Sequence, residues 1–88
     1  MKLYFIHCGF YDEEISHGIY EFHINIPILA PDVEEAKKKV RTTPHFKEKK
    51  MHIDGIQEIT SVDGYQIVLV KTSDLDTPGI QNILHRDL

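Results

Sequence analysis

Six histidines in 88 residues are the side chains best suited to chemistry in this sequence: His7, His17, His23, His45, His52 and His85. Imidazole binds metal ions, moves protons near neutral pH and pairs with carboxylates. Metal sites usually show themselves by tight spacing, such as two histidines four apart on a helix, or paired CxxC units. No such spacing occurs here. The nearest approach is His52-x-Asp54, which on a strand sends both side chains to one face, roughly 6.5–7 Å apart. A metal ion there would need two more ligands, and only tertiary folding could bring His23 or His17 to it. By itself the pair reads as a histidine oriented by a neighbouring carboxylate. No metal and no cofactor is expected.

The other reactive types are weaker. Cys8 is the single sulfur nucleophile, and it lies on a segment that reads as a central strand, where an inert buried thiol is the usual finding. His7 is next to it in sequence but points to the opposite strand face, so it cannot act as its base. Neither GxGxxG nor GxxxxGK[ST] occurs, so no phosphate cradle is present. Residues 34–50 carry seven bases and three acids, a local charge of +4. Those on the helix are matched by i,i+4 acids, and Phe46 alone supplies no stacking platform. With a net charge of −4 for the whole chain, nucleic acid is not an expected partner.

These side chains have to be positioned by a small scaffold. At 41% hydrophobic and 27% charged residues, the composition is that of a globular domain. Its length fits one domain, residues 1–88, with a tail at 73–88. No apolar run approaches the roughly 18–20 residues that cross a bilayer, and the N-terminal run lacks a cleavage site, so no membrane partner is expected. One unpaired cysteine fits a reducing compartment, and the expected location is cytoplasmic.

The periodicity predicts the elements in order. Lys2–Phe10 is apolar in both parities, as in a central strand covered on both faces. The acidic stretch 11–18 reads as a loop. Tyr20–Leu29 alternates, with Tyr20, Phe22, Ile24, Ile26 and Ile28 facing inward and Glu21, His23, Asn25 and Pro27 outward. Pro27 suits an edge. Pro31–Thr43 reads as a helix with Asp32 at its cap, acids leading and bases following, and a stripe of Val33, Ala36 and Val40. Residues 45–50 read as a basic connector. Met51–Thr60 alternates again, with His52, Asp54, Ile56 and Glu58 on the polar side. Asp63-Gly64 marks a tight hairpin leading into a strand at Tyr65–Thr72. Thr77-Pro78 opens a short helix. The predicted fold is α+β, a mostly antiparallel four-stranded sheet in the order β-β-α-β-β with a short C-terminal helix. One thin helical stripe cannot hide both faces of such a sheet. The tail helix or a dimer partner must cover the second.

Four stretches together carry a family resemblance: Met1-Lys2-Leu3-Tyr4 with Gly9, Ile15-Ser16-His17, Met51-His52-Ile53-Asp54-Gly55, and Val62-Asp63-Gly64-Tyr65-Gln66-Ile67. Their order and spacing resemble a small bacterial family, domain of unknown function 1543, over the region 1–70. No activity is established for that family, which includes proteins with one or two copies of the domain. A single copy implies a homodimer in place of a tandem. The resemblance picks out His17, His52, Asp54, Asp63 and Tyr65 as the candidate ligand-binding set, with His17 folding towards His52 and Asp54. The expected function is a noncatalytic homodimeric interaction module. The alternative is a small-ligand or metal-binding domain that uses His17, His52 and Asp54.

Overall fold

The computed structural model describes residues 1–73 and 82–88. Its elements are β1 (Lys2–Tyr11), α1 (Glu13–Ser16), β2 (Glu21–Ala30), α2 (Val33–Arg41), α3 (Pro44–Glu48), β3 (His52–Glu58), β4 (Ser61–Val62) and β5 (Tyr65–Gln66), with a 3-10 turn at His85–Asp87. The class is α+β. The sheet differs from the one predicted: three antiparallel strands in the order β2-β1-β3, and a separate two-stranded ribbon, β4-β5.

β1 is central, as its apolar character requires. Its whole length pairs with β2, from Lys2 opposite Ala30 to Tyr11 opposite Glu21. β2 is an edge, which tolerates Pro27. Asp32 caps α2 by accepting the Glu35 N–H at 2.8 Å. Ala36 and Val40 of α2 are buried against one face of the sheet with Tyr4, Ile6, Cys8 and Phe10. Val33 stays partly in water at the start of the helix. The acids of α2 pair at i,i+3, Glu34 with Lys37 and Glu35 with Lys38. Lys39 instead reaches the Leu29 carbonyl at 2.9 Å.

Four expectations are corrected. First, β1 is not covered on both faces: Phe5 is 36% exposed and His7 is exposed, because α2 and Phe46 of α3 pack on the Tyr4–Ile6–Cys8 side. Second, the stretches at 11–18 and 45–50 contain the short helices α1 and α3. Asp12 starts α1 by accepting N–H bonds from Glu14 and Ile15, and Pro44 stands at the start of α3. Third, β3 does not keep one parity. Cys8 pairs with Ile53 and His7 with Gly55, so Asp54 is an extra residue in a β-bulge. The bulge shifts the alternation, and Ile53 and Ile56, three apart, both pack on the core.

Fourth, the expected fourth strand is only the ribbon. Asp63 and Gly64 both take positive φ, at 52° and 79°, and close the predicted tight turn. Ile67 still donates to the Thr60 carbonyl at 2.9 Å. Beyond it the chain leaves the edge of β3, and Leu69 and Val70 line a shallow groove with Met1 and Leu29. The helix expected from Pro78 begins within 74–81, outside the described residues. Of the described tail, only His85–Asp87 make a helical turn. No helix among the described residues is long and apolar enough to cross a membrane.

Candidate functional site

The open face of the sheet gathers the chemistry. Alternation sends Glu21, His23 and Asn25 of β2 to this face, and His7, Gly9 and Tyr11 of β1 lie beside them. Gly9 pairs with His23 on one side and with His52 on the other. The two histidines therefore stand in one row, two strands apart, roughly 9.5 Å between backbones. Glycine puts no side chain between them, and the His52 imidazole reaches over it. The bulge adds Asp54 from β3 on the same face.

His23 Nε2 lies 3.1 Å from Asp54 Oδ2. His52 Nε2 lies 3.2 Å from Asp54 Oδ1 and 3.3 Å from Glu21 Oε1. His23 Nε2 also contacts the Glu21 carboxylate. A Cβ built on Gly9 would come within 2.6 Å of Glu21 Oε1 and His52 Nε2, and 2.7 Å of Asp54 Oδ2. Three ligand-type atoms thus converge above one backbone position. His7 flanks the cluster: its ring stacks on that of His23 at 4.9 Å and 6°, and its Nδ1 is hydrogen-bonded to Asn25 Oδ1 at 2.9 Å.

The electrostatics favour the charged carboxylate. The Tyr11 hydroxyl donates to Glu21 and is the main reason its acid stays below the usual range; partial burial opposes this, and His23 and His52 add to it. The same bond raises the Tyr11 phenol. Beneath the sheet, burial raises the Cys8 thiol, and the Asp54 charge raises it further. Cys8 is fully buried, and its S–H donates to the Ile6 carbonyl at 3.6 Å.

Of the sequence-derived set, His52 and Asp54 meet. His17 does not join them: it ends α1 in the left-handed region at φ 54°, and no group of converging ligand atoms among the described residues includes it. Asp63 and Tyr65 belong to the ribbon beyond Glu58, whereas the cluster lies at Gly9, roughly 15 Å away along β1 at 3.3 Å per residue. The residues missed were Glu21, Gly9, Tyr11 and His7, and His23 was only a possible ligand. One sequence signal could have found the core of the site. Glu21-x-His23 and His52-x-Asp54 are two acid–imidazole pairs at strand spacing, on segments that flank a strand carrying glycine.

Among the described residues, ligand-type atoms converge in two groups that share Asp54, one with Glu21 and His52 and one with His7 and His23, and imidazole and carboxylate are donor types for a divalent first-row ion. The His23–Asp54, His52–Asp54 and His52–Glu21 separations of 3.1–3.3 Å are close to the roughly 3.3 Å edge of a tetrahedron with bonds of about 2.0–2.1 Å, and Asp54 meets the two histidines with its two different oxygens. The fold and site define a small α+β domain with a single-layered helical cover and a histidine–carboxylate cluster on its bare sheet face. The sequence profile of DUF1543, a domain of unknown function, matches residues 20–69, more than half of the chain, and the chain belongs to that family. Glu21, His23, His52 and Asp54 all lie inside the matched span; the motif pieces at Met1–Tyr4 and Ile15–His17 precede it. No match was found among curated proteins or among solved structures.

Proposed function

We propose that this domain binds a divalent transition-metal ion, with His23, His52, Asp54 and Glu21 as ligands. The supporting observation is the convergence of Glu21, His52 and Asp54 over Gly9, where even a methyl group would collide with all three, with His23 Nε2 against both carboxylates. Tyr11 acts behind the ligands, holding Glu21 in its charged form, as outer-shell partners commonly do at metal sites. The ligands sit on paired strands rather than on a loop, so much of the ordering cost is met by the fold itself. The open face leaves the ion accessible from solvent, which suits exchange or delivery better than a closed structural site.

The test is metal uptake by protein stripped with EDTA, titrated with zinc or nickel and followed by calorimetry and elemental analysis. One equivalent per chain is expected, and a His23→Ala, His52→Ala variant should lose it while keeping its far-UV spectrum. No stoichiometric uptake by the parent protein, or uptake unchanged in the variant, overturns the reading.

A further inference from the structure

We propose that the cluster takes up a second divalent ion, ligated by His7, His23 and Asp54, with the Asp54 carboxylate bridging it to an ion held by Glu21 and His52. This rests on the metal-binding reading above and extends it from one ion to a carboxylate-bridged pair.

The ligand-type atoms divide into two triads. Glu21, His52 and Asp54 form one, and His7, His23 and Asp54 the other; within each, the atoms all lie within 4.8 Å of one another. The shared carboxylate meets them with different oxygens. Its Oδ1 lies 3.2 Å from His52 Nε2, and its Oδ2 lies 3.1 Å from His23 Nε2. One oxygen turned to each triad is what a bridge between two ions requires. Paired ions in two-metal sites stand about 3.5–4 Å apart, a span that the two oxygens of one carboxylate can cover. The strand register supports this place for Asp54. Gly55 lies opposite His7 and His52 opposite Gly9, so the bulged Asp54 falls between the rows of the two triads.

His7 is oriented for ligation. Its Nδ1 lies 2.9 Å from Asn25 Oδ1. An amide oxygen only accepts, so Nδ1 carries the proton and Nε2 keeps the lone pair that a metal ion needs. A ring nitrogen that donates to an oxygen while the other binds metal is the common arrangement of a histidine ligand. The four ligands of the first ion make no use of this bond. Gly55 across from His7 also leaves room: a Cβ built there would meet nothing within 4 Å.

His23 is the ligand that changes hands. With one ion bound, its Nε2 joins Glu21, His52 and Asp54. With two, it serves the second ion, and each ion keeps three protein ligands and an open position for water, the ligand count of catalytic zinc sites. Repulsion between the two ions makes the second equivalent weaker than the first.

The experiment dialyses EDTA-stripped protein against limiting and then excess zinc, and counts bound metal per chain by elemental analysis. Expected are one ion at limiting zinc and two in excess. His7→Ala should stop at one ion in excess zinc, and so should His7→Gln, which tests the same loss with a side chain of similar size. Asp54→Ala removes the bridge and should lose the second ion while weakening the first. A parent protein that stops at one ion, or His7 or Asp54 variants that still take two, overturns the second site and leaves the first standing. No uptake at all removes both.

Discussion

His23 and Asp54 approach to 3.1 Å although their strands never touch: β2 and β3 flank β1 on opposite sides. Contact across an intervening strand needs a gap in the middle and an extra reach from one side. Gly9 provides the gap, and the bulge at Asp54 provides the reach.

Gly9→Ala is the most direct consequence. The added methyl would meet Glu21, His52 and Asp54 at 2.6–2.7 Å, so the ligand side chains must turn away. Metal affinity is expected to fall at least tenfold, a cost of about 1.4 kcal/mol in binding. Folding should not suffer equally, since removing a strand glycine gains about 0.5–1 kcal/mol of backbone entropy. Calorimetry alongside thermal melts checks both, and unchanged affinity would refute the role given to this position.

Tyr11→Phe removes the main cause of the depressed Glu21 acid. A carboxyl whose folded value lies below its unfolded one stabilises the protein above the unfolded value, near 4.3. That stability is lost as pH falls through the lower folded value. The variant should therefore show an upward-shifted Glu21 titration by carbon-detected NMR and a smaller loss of stability on acidification. As an outer partner of a ligand, Tyr11 should also be worth about 10- to 100-fold in metal affinity.

Core and open face should respond differently to truncation. Ile6 is fully buried under the helices, and Ile6→Ala is expected to cost about 2–5 kcal/mol in urea denaturation. Leu29, on the open face and 39% exposed, should cost clearly less when changed to alanine in a monomeric state. Equal losses would mean that the bare face is as well packed as the core.

Cys8 should be inert in the native protein. Burial and the Asp54 charge both raise its thiol, and only the thiolate reacts. Alkylation by iodoacetamide at pH 7.5–8 is expected to be slow without denaturant and to accelerate at the urea midpoint. Fast labelling of folded protein would contradict the observed packing.

The local elements were legible in the sequence because local rules specify them. Strict alternation over Tyr20–Leu29 placed Glu21 and His23 on one face, Asp32 marked the start of α2, and Asp63-Gly64 marked the turn. The pairing of His52 with Asp54 was also visible, since strand spacing alone puts them together. The family resemblance pointed to His17, Asp63 and Tyr65 as well, which stand at the end of α1 and in the β4-β5 hairpin.

Only the tertiary structure decided which sheet face the helices cover, where β3 bulges and where the fourth strand goes. Each depends on register between segments distant in the chain, and a shift of one residue exchanges the two faces of a strand. Hydrophobic pattern made β1 central but could not tell that Leu3, Phe5 and His7 would stay outside. Residue types supplied the possible ligands. The site itself exists because Gly9 falls in the same row as His23 and His52, a coincidence of two independent strand pairings that no single segment encodes.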